Sequence, residues 1–239
     1  QGIFPVTSTL ISGEKDAVLV DAQFSVNDAK NLVKLIQDSG KNLKYIIITA
    51  GDPDYYFGLE PLVQAFPNAK VIATPEVVQH IEATKDGKFA YWGPILKAGA
   101  PSQIVVPRAI EDKTIELEGE KIEIKAPGKY ASYLWVPSNR TILGGVGLSS
   151  GIHLWTADTQ TTEARDEWRK TVKQMNRLRP HAVIPGHYIG EIPSATKAID
   201  FTYKYLVDVD KVLKEHKNSA SVIAALKEKY PNLAEESSL

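Results

Sequence analysis

Residues 47–59 read IITAGDPDYYFGL, and the fold turns on how this stretch is understood. An apolar run, Tyr45 to Ile48, stops at Thr49. Two aspartates two residues apart follow (Asp52 and Asp54), then Tyr55, Tyr56, Phe57 and Gly58. Asp-Pro-Asp after a strand is ordinary turn composition. Paired carboxylates at a strand end are also what acid/base or metal chemistry uses, provided partners converge on them. A partner of the right kind is His187, in Ile184-Pro185-Gly186-His187, which again follows a short apolar run. A lone histidine in such a place is more often structural, so turn and site both stand as readings.

Bulk properties narrow the function classes. The chain has 239 residues, 43% hydrophobic and 24% charged, which suits a single domain over 1–239 with a substantial core. With 28 basic and 29 acidic residues the formal charge is -1. No basic excess points to nucleic acid or an anionic membrane. No apolar run approaches the roughly 20 residues of a membrane-spanning helix. Cysteine is absent, which removes disulfides, zinc–thiolate sites and thiol catalysis. The chain starts at Gln1 and its single methionine is Met175, an expectation of upstream processing, as in an exported protein.

Around the opening stretch the pattern is β-rich with helical insertions. Residues 4–12 and 17–22 read as strands joined by a hairpin turn at Ser12-Gly13-Glu14-Lys15. Ser25 is the expected cap of a helix with Ala29, Leu32, Val33 and Ile36 on one face and Gly40 at its end. A strand at 43–49 and a short one at 71–73 follow, and Pro75 opens the next helix. Residues 85–101, with Gly87, Tyr91, Trp92, Gly93, Pro94, Gly99 and Pro101, read as an irregular aromatic loop, a candidate wall over a pocket. Strands are expected at 103–106, 114–117, 121–125, 132–136 and 140–144. A helix is expected at 161–178, a short strand at 183–184, and two last helices at about 193–216 and 219–229 with Ser219 as a cap. The halves are alike in outline, which favours an α/β architecture of two packed sheets with helices outside, a four-layer αββα sandwich.

The order of these features resembles the metallo-β-lactamase superfamily. The resemblance rests on Thr49 followed by x-D-x-D and Phe57-Gly58-Leu59, on Val18-Leu19-Val20-Asp21, on Pro127-Gly128-Lys129 through Pro137-Ser138-Asn139-Arg140 to Leu143-Gly144-Gly145, and on Pro185-Gly186-His187. It spans roughly Val6 to His187 and implies that family's sandwich fold. It also implies a metal centre, and there the residues depart. In the motif T-H-x-H-x-D-H, Ala50 takes the first histidine position, Asp52 the second, and Tyr55 the last, while Asp54 matches the aspartate. Lys129 stands at the Gly-His histidine and Val146 at the bridging aspartate; His187 matches.

What the resemblance implies is a first metal site without donors and a second reduced to Asp54, Tyr55 and His187. A phenol must lose a proton at a pKa near ~10 before it ligates well. The expectation is no cofactor, or one weakly bound zinc or manganese at Asp54 and His187, and not a di-zinc centre. Candidate catalytic residues are Asp52, Asp54 and His187. Candidate contacts for a small-molecule ligand are Tyr55, Tyr56, Lys129, Trp92 and His153; His153, Trp155 and Asp158 either line that pocket or form a structural cluster with Trp155 in the core. The family places Asp52, Asp54, Tyr55, Lys129 and His187 on one rim. Two functions follow: a weak or metal-poor hydrolase of an ester, lactone or amide, or a non-catalytic small-molecule-binding protein. Tyr55→His is the single change expected to restore most zinc affinity.

Overall fold

The computed structural model describes residues 3–127 and 131–239, and the chain divides into two compact units. The first comprises residues up to Ser138 together with Leu143–Val146; the second comprises Asn139–Ile142 and Gly147–Leu239.

The first unit opens with β1 (Thr9–Ser12) and β2 (Asp16–Val20), an antiparallel pair in which Thr9 faces Val20. Residues 17–20 of β2 are almost entirely buried, as befits a central strand covered on both faces. Helix α1 (Val26–Ser39) starts where expected: the Ser25 hydroxyl accepts the Asp28 N–H, and Ala29 and Ile36 are buried. It ends at Gly40, whose φ of 68° is a conformation only glycine adopts freely. β3 (Asn42–Ile47) then pairs parallel to β2. Two short helices, α2 (Pro53–Tyr56) and α3 (Leu59–Ala65), lead to β4 (Lys70–Ala73), parallel to β3.

Helix α4 (Pro75–Leu96) corrects the sequence reading. Residues 85–96 continue this helix in place of the expected irregular loop, despite Gly87, Gly93 and Pro94. The Thr74 hydroxyl caps it and Pro75 suits its first turn. Packing then outweighs the weak local propensity of its far half. Phe89 lies 6.4 Å from Phe57 between ring centroids, and Trp92 meets Phe24 edge-on at 5.1 Å. Pro94, in the last turn, cannot donate to the carbonyl four residues earlier, and Lys97 at φ 54° ends the helix. The strand expected at 103–106 is instead β5 (Arg108–Ala109), parallel to β4. β6 (Thr114–Leu117), β7 (Glu120–Lys125) and β8 (Tyr133–Val136) form an antiparallel meander. The carboxylate of Glu118, in the β6–β7 turn, accepts the N–H groups of Glu14, Lys15 and Asp16 and so ties this meander to the β1–β2 hairpin.

β9 (Thr141–Leu143) ends at Leu143 of the first unit. In the second unit, β10 (Ser149–Ser150) precedes α5 (Thr162–Arg177), β11 (Ala182–Ile184), β12 (His187–Tyr188), α6 (Lys197–Glu215) and α7 (Ser219–Lys229). Asn218, not Ser219, caps α7. α5 and α6 share a buried ion-pair network in which Arg165 Nε donates to Asp210 at 2.5 Å and Arg169 binds the other carboxylate oxygen. Burial would raise the Asp210 pKa, but the two guanidinium groups outweigh it and hold the carboxyl below its usual range.

Candidate functional site

The end of β3 is locked by a chain of buried hydrogen bonds. Thr49 donates its backbone N–H and its hydroxyl to the two oxygens of Asp21, at 2.8 and 2.7 Å. The same hydroxyl oxygen accepts the Gly145 N–H at 2.8 Å. The Thr49 carbonyl accepts from both the N–H and the hydroxyl of Ser132. Gly145 has φ 78°, and a Cβ there would lie 2.4 Å from the Ser132 carbonyl oxygen, so no other residue fits. Burial pushes the Asp21 carboxyl up to about 8, against the pull of its two Thr49 donors.

This lattice positions the 50–56 turn. Ala50 is fully buried and forms an isolated antiparallel bridge with Ala131. Tyr55 is also fully buried; its hydroxyl donates to the Gly145 carbonyl at 3.0 Å, and its own carbonyl accepts from Ala22. Burial, then the charges of Asp54, Asp21 and Asp52, push the Tyr55 phenol well above its ordinary pKa. Tyr56 is 1% exposed, and its hydroxyl is buried without a hydrogen-bond partner among the described residues. Burial, then the nearby carboxylates Asp52, Asp54 and Asp86, hold that phenol protonated as well. Val146 packs on the apolar core.

Asp52 and Asp54 are the half-buried polar groups of the turn. The Asp54 carboxyl is raised well above its usual range by burial, and the Lys88 ammonium pulls it back in part. Lys88 comes from α4, as does His80, whose ring lies so close to Gly51 that a Cβ there would sit 2.5 Å from its Cδ2. His80, Thr84 and Lys88 recur at i, i+4 and i+8 on the half-buried face of α4, and the Thr84 hydroxyl donates to the His80 carbonyl. The sequence reading gave His80 no role and did not consider Lys88. The signal was that spacing, hidden because the helix was expected to stop before 85. Trp92 lies on the same helix, half-buried against Phe24.

The first unit therefore brings together Asp52, Asp54, Tyr55 and Tyr56 with α4. Two other expected residues belong to the second unit. His187 is half-buried in β12, where it pairs in parallel register with Ser149. His153 is 1% exposed, and its Nδ1 lies 2.8 Å from the Tyr205 hydroxyl. Trp155, expected in the core, is 52% exposed and donates to Asp158. Lys129 lies outside the described residues. Among the described residues, no three His, Cys, Asp or Glu side chains gather in a way that could hold a metal ion.

Comparison with known proteins matches this architecture. The profile of the metallo-β-lactamase superfamily matches residues 2–187. Solved structures of similar fold include a metallo-β-lactamase from Pontibacter korlensis, with TM-score 0.60, 18% identity, and 85% of this chain and 87% of that one covered. They include VMB-1, with TM-score 0.64, 19% identity and 86% of each chain covered. They also include FIM-1 from Pseudomonas aeruginosa in its mono-zinc form, with TM-score 0.62, 14% identity, and 87% of this chain and 85% of that one covered. At such identities the likeness is one of fold, and that fold is the αββα sandwich expected from the sequence. The Bacillus subtilis (strain 168) protein YobT is 33% identical over 70 residues, which is 29% of this chain and 30% of that protein.

Proposed function

The chain belongs to the metallo-β-lactamase superfamily, and we propose that it uses this fold to bind a small molecule without a metal-based hydrolytic centre. The observation that carries this reading is the state of Tyr55. It occupies the position of a histidine ligand, yet its phenol is buried, held protonated, and committed to the Gly145 carbonyl. A protonated phenol that donates its hydrogen to a carbonyl offers a metal almost nothing. Ala50 supplies no donor atom, and Val146 is an apolar side chain packed against the core. The residues present do not fit a two-metal centre.

The ligand-binding groups are the half-buried Asp52 and Asp54 with His80 and Lys88 of α4. They bring both signs of charge, so a small zwitterionic or amide-bearing molecule suits them better than a simple anion or cation. Aromatic surface for such a ligand is close at hand on α4, at Tyr91 and Trp92, whose rings meet edge-on at 5.0 Å. The test is a ligand screen by thermal shift in parallel with hydrolysis assays on lactones, esters, amides and β-lactams, each with chelator and with added zinc or manganese. Binding without turnover, unchanged by chelator, is the expected result. Metal-dependent turnover of any of these substrates contradicts the reading.

A further inference from the structure

His153 follows β10 and is 1% exposed. The Tyr205 hydroxyl oxygen lies 2.8 Å from Nδ1. A buried hydroxyl hydrogen needs an acceptor; directed at Nδ1, it leaves the imidazole hydrogen on Nε2. That Nε2 is buried without a hydrogen-bond partner among the described residues, and so is the hydroxyl of Ser238.

Residues 233–239 lie against this region. Ala234 donates to the Gly151 carbonyl at 3.0 Å and accepts from the His153 N–H at 2.9 Å. Leu233 and Leu239 pack on the cluster of Leu154, Tyr205, Leu206 and Val209. Glu236 pairs with Lys227 of α7 at 2.6 Å. The segment is short, carries a strained αL residue at Glu235 (φ 58°), and is held by few backbone bonds. Such segments open at far lower free energy than the fold around them.

We propose that His153 is a pH-sensitive latch, and that gain of a proton by its ring releases the segment 233–239 from α6. A protonated ring donates from both nitrogens, so Nδ1 no longer accepts the Tyr205 hydrogen. The ring becomes a buried cation with two donors to place. The groups facing it are Tyr205 from α6, Lys227 from α7 and Glu236 from the segment itself. Glu236 attracts the cation, but Lys227 already engages that carboxylate and repels the ring. Burial is the largest influence, and the net effect lowers the His153 pKa from its ordinary 6.5. The closed state is thus fully stable above the open-state pKa, and that stability is lost as pH falls towards the depressed one.

The chain has no cysteine, so Ser238→Cys provides a unique thiol at the buried end of the segment. Its reactivity towards 4,4′-dithiodipyridine, normalised at each pH to a cysteine in a short peptide, reads opening directly. Protection is expected to be flat at neutral pH and to fall about tenfold per pH unit once pH drops below the ordinary histidine value, with unchanged far-UV circular dichroism. In the Ser238→Cys, His153→Asn protein, Asn Oδ1 replaces Nδ1 as acceptor but does not titrate, and protection is expected to stay flat. If that variant fails to fold, Tyr205→Phe decides: without the hydroxyl, the acid-induced loss should level off at a higher pH. Flat protection in the parent, an equal acid-induced loss in His153→Asn, an unchanged profile in Tyr205→Phe, or simultaneous loss of circular dichroism overturns the latch.

Discussion

Tyr55→Phe isolates the hydrogen bond that separates a structural tyrosine from a ligand or an acid catalyst. The substitution removes one oxygen atom and leaves the buried ring in place. The buried Gly145 carbonyl then loses the donor that lies 3.0 Å away. Leaving a buried acceptor unpaired costs about 1–3 kcal/mol. For a chain of this size that is a fall of roughly 2–12 °C in melting temperature. Differential scanning calorimetry with and without zinc measures it, and metal content should not differ between parent and variant. A melting temperature within about 1 °C of the parent, or a change in metal content at constant stability, would show that the hydroxyl serves a bound species and not the Gly145 carbonyl.

Three further outcomes follow from particular contacts. Tyr55→His, which the family resemblance made the obvious repair, should destabilise the protein by at least as much as Tyr55→Phe, because the shorter ring leaves both an unpaired carbonyl and a cavity; calorimetric zinc titration should find no tight site, and a submicromolar one would reverse this. Asp21 has a folded-state pKa raised to about 8, so its contribution is fully present below the unfolded value near ~4 and is lost as pH rises towards 8; Asp21→Asn, neutral throughout, should remove up to about 1.4 kcal/mol per pH unit of that decline, and urea unfolding at pH values across the window would show parallel slopes if this is wrong. Arg165→Met leaves Asp210 buried with only Arg169 and should cost on the order of 3 kcal/mol; a loss below about 0.5 kcal/mol in urea unfolding would mean the network is solvated.

Much of this was legible in the chain, for identifiable reasons. α1 could be read because its signals are local: Ser25 at one end, Gly40 at the other, and a 3.6-residue apolar period between. The far half of α4 could not, because Gly87, Gly93 and Pro94 are local signals for a loop, and the contacts that overrule them come from Phe24 and Phe57, distant in sequence. That one misreading also concealed His80 and Lys88. Asp21, Thr49 and Gly145 were visible as family positions, but their hydrogen-bond lattice appears only in three dimensions. Tyr55 is the sharpest case. Its sequence position read as a damaged ligand, whereas its burial and its bond to Gly145 make it part of the core. Trp155 erred in the opposite direction, since a large aromatic beside His153 was expected inside and lies half exposed.

The proposed function has this superfamily fold operate without a metal centre. The most direct measurement is elemental mass spectrometry of the full chain, expressed in zinc- and manganese-supplemented medium and purified without chelator. Far less than one ion of zinc or manganese per chain is expected, with no gain in melting temperature when either metal is added back. One or two ions per chain that survive dialysis, with a melting temperature that falls when they are stripped, would contradict it.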